Sequence, residues 1–435
     1  MTQAVILAGG KGTRLAAKLN GRPKCMVDVD GVPLLERQAE LLRRYGVDEL
    51  VLLVNHAAEQ VARFCGERGD FGMRVKLVDE GRPRGTAGAV LAALDELAER
   101  FVVLYGDTLL NVDLERFWVA HEAAEGEATL FLHANDHPAD SDLVEVDEEG
   151  WVRAFHGYPH DSGRYYANLV NAALYVCEKK ALERWRDFRT PADFGKDLFP
   201  AMIAAGARVK GYRSFEYVKD VGTPERLERA EQQLRQGTVA RASLGVRQRA
   251  VFVDRDGTLN AHRGHLRRAE DLELLPGVAE AVRRLNRAEY RVVLVTNQPV
   301  IARGEATAEE VRRIHDRLET ELGREEAFLD AIYVCPHHPH GGYAGEVAEL
   351  KCECECRKPG TGMVERAARE LNIELSESWM VGDTTVDVEM ARRAGVRSIL
   401  VRTGEGGGDG KFAASAERVA DSLAEAVDGI LGEWV

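Results

Sequence analysis

Two stretches of this chain, VCPHHPHGG and KCECECRKPG, hold Cys335, His337, His338, His340, Cys352, Cys354 and Cys356, and with them four of its seven cysteines. Thiolate and imidazole at such spacings form a metal-ligand inventory. A second pattern is AVILAGGKGTRL, an apolar run entering a glycine-rich loop. Glycines let backbone amides approach a phosphate closely, and a following helix N-terminus favours the negative charge. The loop is not GxxxxGK[ST], and Leu15 stands where a dinucleotide fingerprint has its third glycine, so a plain strand-to-helix turn stays open beside the phosphate reading. A third is AVFVDRDGT, with Asp254 and Asp256 two residues apart after another apolar run. Taken alone, an Asp at a strand end is more often a cap or a solvated turn than a ligand.

The elements that position these residues show in the hydrophobic pattern. Short apolar runs alternate with stretches of helical period: AVILAGG, LLERQAELLRRYG, ELVLLVN, GAVLAALDELAERF, FVVLYGD. That is the rhythm of strand and crossover helix, which predicts α/β architecture with a mostly parallel sheet. The rhythm pauses over 234–248, which is rich in turn formers and is expected to be a linker. It restarts at AVFVDRDGT and ends in SWMVGDTTVDVEMARRAGVRSILV. Two α/β domains in series follow, 1–233 and 249–435. The stretch GEGGGDG is expected to be a hinge before a last amphipathic helix around AERVADSLAEAVDGIL. Leu and Ala stripes such as those in LLERQAELLRRY are core-facing surfaces.

A length of 435 residues exceeds one ordinary core. Acidic residues number 72 and basic residues 58, a net charge of −14, which disfavours nucleic acid and anionic membranes as partners. Small anionic substrates would then need local cationic pockets. Scattered cysteines, and no apolar run near the ~18 residues that span a bilayer, predict a cytoplasmic chain without disulfides. Cys25, Cys65 and Cys177 are expected to be buried small hydrophobes.

GGKGTR followed by PKCMVDVDGVPLLE resembles the signature of sugar-1-phosphate nucleotidyltransferases, and the resemblance extends over about the first 230 residues. RPRGTAGAV is similar to the family's GTAG stretch, FVVLYGDTL places Asp107 at a strand end, NLVNAALYV supplies Asn171, and YVKDVGTPERL supplies Asp220. The resemblance implies a Rossmann-like parallel or mixed sheet, Mg²⁺ on Asp107 and Asp220, and fixed positive charge from Arg14 and Lys24. It also implies backbone contacts from Gly9, Gly10 and Gly12 to the triphosphate, a base and ribose site at Gly85, Thr86 and Gly88, and a sugar contact at Asn171. Such an enzyme positions two polyanions for in-line attack on the α-phosphorus and uses no covalent nucleophile.

VFVDRDGTLN, VLVTNQ, CRKPG and MVGDTTVD occur in the order seen in the haloacid dehalogenase (HAD) superfamily, which they resemble. The resemblance implies Asp254 as nucleophile, Asp256 as general acid and base, Thr296 and Asn297 near the phosphate, Lys358 as cation, and Mg²⁺ on Asp254, Asp256 and Asp383, with Asp387 nearby. Within that superfamily, TNQ, IARG, CPHHP, CxCRKP and VGD in that order are similar to D-glycero-D-manno-heptose 1,7-bisphosphate phosphatases and their histidinol-phosphatase relatives. Their zinc loop maps here to 335–356. It implies structural Zn²⁺ on Cys335, His337, Cys354 and Cys356, placing Arg357 and Lys358 against the substrate. Cys352 would be a slipped alternative that loses the spacing to Arg357, and His338 and His340 are expected to face solvent. Pro299, Val300 and Thr384 depart from the family pattern.

Removal of the 7-phosphate from such a bisphosphate leaves a heptose 1-phosphate, and the N-terminal motifs resemble those of a D-glycero-D-manno-heptose-1-phosphate guanylyltransferase. The two expected reactions, with GTP as nucleotide donor, are consecutive. Two alternatives remain in the sequence: a hexose-1-phosphate nucleotidyltransferase joined to a phosphatase of other specificity, for example on histidinol phosphate, or one domain acting as a non-catalytic nucleotide-sugar sensor. Neither domain lacks an acid pair or a cation, which favours two enzymes. The anomer and the oligomeric state are not legible.

Overall fold

ELVLLV at Glu49–Val54 and AVFV at Ala250–Val253 are buried almost throughout, which requires a sheet covered on both faces. Each half of the chain builds one in the computed structural model, which describes residues 1–10, 12–19 and 21–432. Lys11 of the GGKGTR motif lies outside the described residues. The chain divides into two units. One comprises Met1–His133, Val144–Gly157 and Val170–Ser243, the other Ala134–Leu143, Tyr158–Leu169 and Leu244–Val435.

In the first unit, strand Gln3–Leu7 lies between Glu49–Val54 and Arg100–Tyr105, parallel to both. Strand Arg74–Asp79 extends one side, and the antiparallel strand Val170–Glu178 extends the other. The sheet is therefore mixed, with nine strands. After Arg74–Asp79 the chain crosses back to the far side of Gln3–Leu7, so the direction of winding reverses between Gln3–Leu7 and Arg100–Tyr105. Open α/β sheets bind ligands at such a reversal, beyond the C-terminal strand ends.

The second unit follows the same rule more strictly. Its six strands run in the order Ala331–Cys335, Arg291–Asn297, Ala250–Val253, Trp379–Gly382, Arg397–Val401, Arg418–Ala420, with every neighbouring pair parallel. The reversal falls between Ala250–Val253 and Trp379–Gly382, the strands that end at Asp254 and Asp383. Val251, Val253, Leu294, Val381 and Ile399 line one core with Leu285, Leu318 and Val427 from the flanking helices. Burial of each such side chain contributes roughly 1.5–3 kcal/mol.

Several expectations are corrected. The segment 234–248 is not a plain linker: helix Pro224–Arg235 runs into it, a short helix Thr238–Arg241 follows, and Val239 and Ala242 are buried in the first unit's core. The apolar pair spaced for one helix face drives that packing. Residues 134–143 and 158–169 belong to the second unit, where Tyr166 N donates to Thr320 Oγ1 at 2.9 Å. The glycine stretch 404–410 is not a hinge. Glu405 N donates to Asp383 Oδ2 at 2.7 Å and Gly407 N to Asp383 O at 2.8 Å, so the loop wraps the end of a core strand. The last helix is shorter than expected, Leu423–Ile430, because Arg418–Ala420 joins the sheet edge. Among the described residues, no helix is long and apolar enough to cross a membrane.

Candidate active sites and metal centre

In the first unit, the chain leaves strand Gln3–Leu7 through Gly9, Gly10 and Gly12. Gly12 has φ 62°, and a Cβ there would lie 2.5 Å from Leu19 Cδ1 and 3.1 Å from Lys24 Cβ. The loop is therefore folded tightly onto the segment that carries Lys24. Lys24 Nζ forms an ion pair with Asp107, which follows strand Arg100–Tyr105. Strand Tyr217–Asp220 pairs with Thr108–Asn111 so that Asp220 faces Thr108, and Val221 N donates to Asp107 O at 2.9 Å. That register brings the two acids to one corner. Burial raises the Asp220 carboxyl, but Arg226 Nη1 at 2.6 Å, with Gly222 N and Lys24, holds it below the usual range.

The other predicted positions of this unit border the same sheet edge. Thr86 opens helix Gly85–Ala92; its Oγ1 donates to Asp193 Oδ2 at 2.7 Å and accepts from Tyr105 OH and Phe194 N, both at 3.0 Å. A Cβ at Gly85 would lie 2.3 Å from Ala192 O, so only glycine fits. Gly88 packs near Thr190 and Arg84. Asn171 sits at a register break in its strand, half-buried, and donates to Tyr175 OH at 3.0 Å. Arg14 is exposed in the turn Thr13–Leu15.

In the second unit, Asp254, Asp383 and Asp387 offer oxygens that all lie within 4.8 Å of one another. Lys358 Nζ reaches Asp254 Oδ1 at 2.8 Å and Asp387 Oδ1 at 2.7 Å. Burial lowers the Lys358 ammonium's affinity for its proton, but these two carboxylates more than reverse that. Burial pushes the Asp254 carboxyl up to about 6 against the pull of Lys358. Asp383 is pushed to about 8, first by burial and then by the charge of Asp254. Asp383 Oδ1 is buried and has no hydrogen-bond partner. A Cβ at Gly257 or Gly404 would lie 2.2 or 2.1 Å from Asp383 Oδ2, so glycines on two sides make room for this carboxylate.

Asp256 is not part of that cluster. Its oxygens accept from Arg255 Nε at 3.3 Å and Nη2 at 2.8 Å, Asn260 Nδ2 at 3.1 Å and Gln298 Nε2 at 3.0 Å. Burial raises this carboxyl, and these donors outweigh it and hold it below the usual range. The Asp256 side chain, expected at the metal, thus lies outside this group of carboxylates; its third member is Asp387, which also caps the helix Thr385–Ala394 with Thr384. Asn297, expected at the substrate, has its carboxamide on Lys358, donating to Lys358 O at 3.1 Å and accepting from Lys358 N at 3.0 Å. Thr296 is buried and accepts from Gln298 at 2.8 Å. Val300, one of the departures, is buried against Ala306 and Val311.

Cys335, His337, Cys354 and Cys356 converge as four ligand atoms within 4.8 Å. The Sγ–Sγ separations are 3.2, 3.3 and 3.6 Å, and His337 Nδ1 lies 3.3 Å from Cys356 Sγ. The hydrogen bond between Cys335 and Cys356 pulls the Cys356 thiol down to about 5 and pushes Cys335 up. Cys352 is exposed and outside the group. His340 is exposed, but His338 is not solvent-facing: it is 6% exposed, with Nε2 at 3.0 Å from Arg303 Nη2.

The Nucleotidyl transferase family matches residues 3–237. The chain belongs to the nucleotidyl transferase family. Its other half is that of a HAD-type phosphatase: the HAD-hydrolase-like family matches residues 355–426. The D-glycero-D-manno-heptose-1,7-bisphosphate 7-phosphatase of Thermosynechococcus vestitus is 44% identical, aligned over 43% of this chain and 94% of that protein. D-glycero-beta-D-manno-heptose-1,7-bisphosphate 7-phosphatase of Yersinia pestis is 42% identical over 36% of this chain and 81% of that protein. Among solved structures, HddC from Yersinia pseudotuberculosis is similar at 26% identity and TM-score 0.47, over 54% of this chain and all of that one.

The phosphatase half of this nucleotidyltransferase–phosphatase has two side-chain groups that could hold metal. In the phosphatase half, an orphaned buried carboxylate oxygen beside two further carboxylates fits a hard divalent cation such as Mg²⁺. Three thiols and an imidazole converging on one point fit tetrahedral Zn²⁺. In the transferase half, Asp107 and Asp220 share a corner whose charge is met by Lys24 and Arg226. Sequence reasoning missed Asp193, Arg226, Arg255, Asn260 and Gln298. Gln298 was within reach, as the third residue of TNQ. Cys354→Ser should lower the zinc content of the purified chain from one per molecule to well below half; full zinc retention on elemental analysis removes Cys354 from the ligand set.

Proposed function

We propose that the phosphatase half hydrolyses the 7-phosphate of D-glycero-D-manno-heptose 1,7-bisphosphate and that the transferase half joins the resulting heptose 1-phosphate to a nucleotide, GMP from GTP, releasing pyrophosphate. The observation that carries the reading is the 94% coverage of a heptose-bisphosphate phosphatase by the second half, in one chain with a nucleotidyl transferase. The product of the first reaction has the chemistry the second requires. Joining the two on one chain raises the effective concentration of each active site for the other's product or substrate.

In the phosphatase half, an Asp254 oxygen attacks the phosphorus, the P–O bond to C7 breaks, and an aspartyl phosphate forms. Asp256 delivers a proton to the leaving alkoxide, then takes one from the water that cleaves the aspartyl phosphate. Asp256 is held ionised by Arg255, Asn260 and Gln298 in the free site; the approaching phosphate charge raises its proton affinity. Lys358 holds Asp254 in place. Mg²⁺ on Asp254, Asp383 and Asp387 would screen anion against anion.

In the transferase half, Gly9, Gly10 and Gly12 present the backbone to the triphosphate, and Lys24 and Arg14 meet its charge. Asp107 and Asp220 would hold Mg²⁺. Thr86, bonded to Asp193, and Gly85 and Gly88 shape the base and ribose site, with Asn171 at the sugar. Cys335, His337, Cys354 and Cys356 would hold a structural Zn²⁺, which would fix the loop before Arg357 and Lys358. The cytoplasm is the setting proposed for the chain, one in which free thiols such as Cys25, Cys65 and Cys177 stay reduced.

A one-pot reaction of chain, bisphosphate, Mg²⁺ and each NTP in turn, read by product mass, tests the reading. An NDP-heptose with GTP as best donor is expected. No release of C7 phosphate, or no NDP-heptose with any NTP, rejects it.

A further inference from the structure

Arg255 stands between Asp254 and Asp256 in sequence, and its side chain is wholly buried. A guanidinium out of water needs acceptors for its donors. Nε donates to Asp256 Oδ1 at 3.3 Å and Nη2 to Asp256 Oδ2 at 2.8 Å, so the fork grips both oxygens of one carboxylate. Two neutral groups meet the rest of it. Gln298 Oε1 accepts from Nη2 at 2.9 Å, and His315 Nε2 lies 3.3 Å from Nη1. Arginine can only donate, so Nε2 of His315 is the acceptor. Burial, and then the charge of Arg255, push the ring down to about 3, which keeps it neutral.

His315 occupies a place where the helical period expects an apolar residue. On helix Ala308–Arg324, Val311, Ile314, Leu318 and Leu322 are buried, and His315 falls on the same stripe. The capping box of Thr307 and Glu310 fixes where that helix starts, and so which of its turns meets Arg255. Stability does not account for the arrangement, because a buried ion pair with its polar partners is often no more stabilising than well-packed apolar side chains of similar volume. Position does. Gln298, which holds Arg255, also donates from Nε2 to Asp256 Oδ2 at 3.0 Å and to Thr296 Oγ1 at 2.8 Å. Arg255 is thus braced between Gln298 and His315 while it grips Asp256.

We propose that His315 is a positioning residue for the phosphatase reaction: acting through Arg255, it fixes the Asp256 carboxyl where a proton passes from it to the alkoxide leaving at C7. This rests on the functional reading above, in which Asp256 is the acid, and extends the site to a helix that carries none of the reacting groups. A general acid works only within hydrogen-bond reach of the atom it protonates. Without an acceptor at Nη1, Arg255 keeps a buried N–H with no partner, shifts to satisfy it, and draws Asp256 with it. Asp254 is held by Lys358 rather than by this guanidinium, so the nucleophile stays in place.

The test compares His315→Met with His315→Gln in the full zinc-loaded chain with Mg²⁺. The two side chains are close in length and volume, and only glutamine brings an acceptor to its end. In His315→Met, kcat for D-glycero-D-manno-heptose 1,7-bisphosphate falls at least tenfold, part of the roughly 10²–10⁴-fold that a positioned acid contributes, while KM stays within about threefold. p-Nitrophenyl phosphate, whose leaving group departs as a stable anion and needs no proton, keeps its kcat/KM within about threefold. His315→Gln recovers most of the lost kcat. A merely packing role lowers both substrates together, or lowers the Met and Gln variants alike, and either result overturns the proposal. So does a kcat for the bisphosphate within tenfold of wild type in a folded His315→Met chain. Where wild type releases no nitrophenolate, the split between kcat and KM and the rescue by glutamine decide. Where His315→Met does not fold, Arg255→Lys takes its place, since it keeps the charge and gives up the fork; the same selective loss of kcat is expected, and kcat within tenfold of wild type overturns the proposal. Wild type that releases no C7 phosphate removes the functional reading and this proposal with it, whereas failure of the variants alone leaves that reading standing.

Discussion

Asp254→Asn stops phosphate release, by ~10⁴-fold or more, and leaves nucleotidyl transfer from heptose 1-phosphate at its wild-type rate. Loss of a covalent nucleophile costs that much because every later step runs through the bond it forms. The substitution is nearly isosteric, and its effect on stability has a definite sign. Asp254, Asp383 and Asp387 crowd three buried carboxylates around one ammonium; burial and then the charge of Asp387 raise Asp254 above the usual range, and burial and then the charge of Asp254 raise Asp383. A neutral amide at 254 relieves that repulsion, so the metal-free variant melts at or above the wild-type temperature. Mg²⁺ then raises the melting temperature of wild type more than that of the variant. Phosphatase activity within tenfold of wild type in a folded Asp254→Asn chain shows that Asp254 is not the nucleophile. An unchanged response to Mg²⁺ would mean that Asp254 does not help bind it.

Lys24→Ala has the complementary outcome. Nucleotidyl transfer falls about 10²–10³-fold, the cost of removing one preorganised cation from a developing charge, while the bisphosphate is still hydrolysed. The one-pot reaction therefore halts at heptose 1-phosphate, whereas Asp254→Asn halts it at the bisphosphate. Lys24 is half-buried between the glycine loop and Asp107, and its ion pair with Asp107 is the only cation contact that structure gives that carboxylate among the described residues. Asp220 retains Arg226. Asp107→Ala is expected to match Lys24→Ala in turnover, because each removes one half of the same pair. Single-turnover transfer within threefold of wild type in either variant refutes the placement of the triphosphate over this corner.

The sequence by itself determined the class of each half and named the candidate reacting groups. Strand periods in AVILAGG, ELVLLVN, AVFVDRDGT and VLVTNQ are local, and the glycines and acids that follow them are read at fixed offsets from a strand end. Tertiary structure decided which acids stand together. The sequence offers Asp256 and Asp387 alike as carboxylates near the site; only the fold turns Asp256 toward the donors of Arg255, Asn260 and Gln298, and brings Asp387 beside Lys358 from a helix cap. Asn297 is likewise spent on the Lys358 backbone. His338 and His340 differ by two positions in one loop, yet one is buried against Arg303 and the other is exposed, because a ring's surroundings come from segments distant in sequence. The glycines of 404–410 permit any conformation, so their composition gives no direction. Gly404, packed where no side chain would fit beside the Asp383 carboxylate, and the bonds of Glu405 N and Gly407 N to Asp383 make the stretch a wall of the site rather than a hinge.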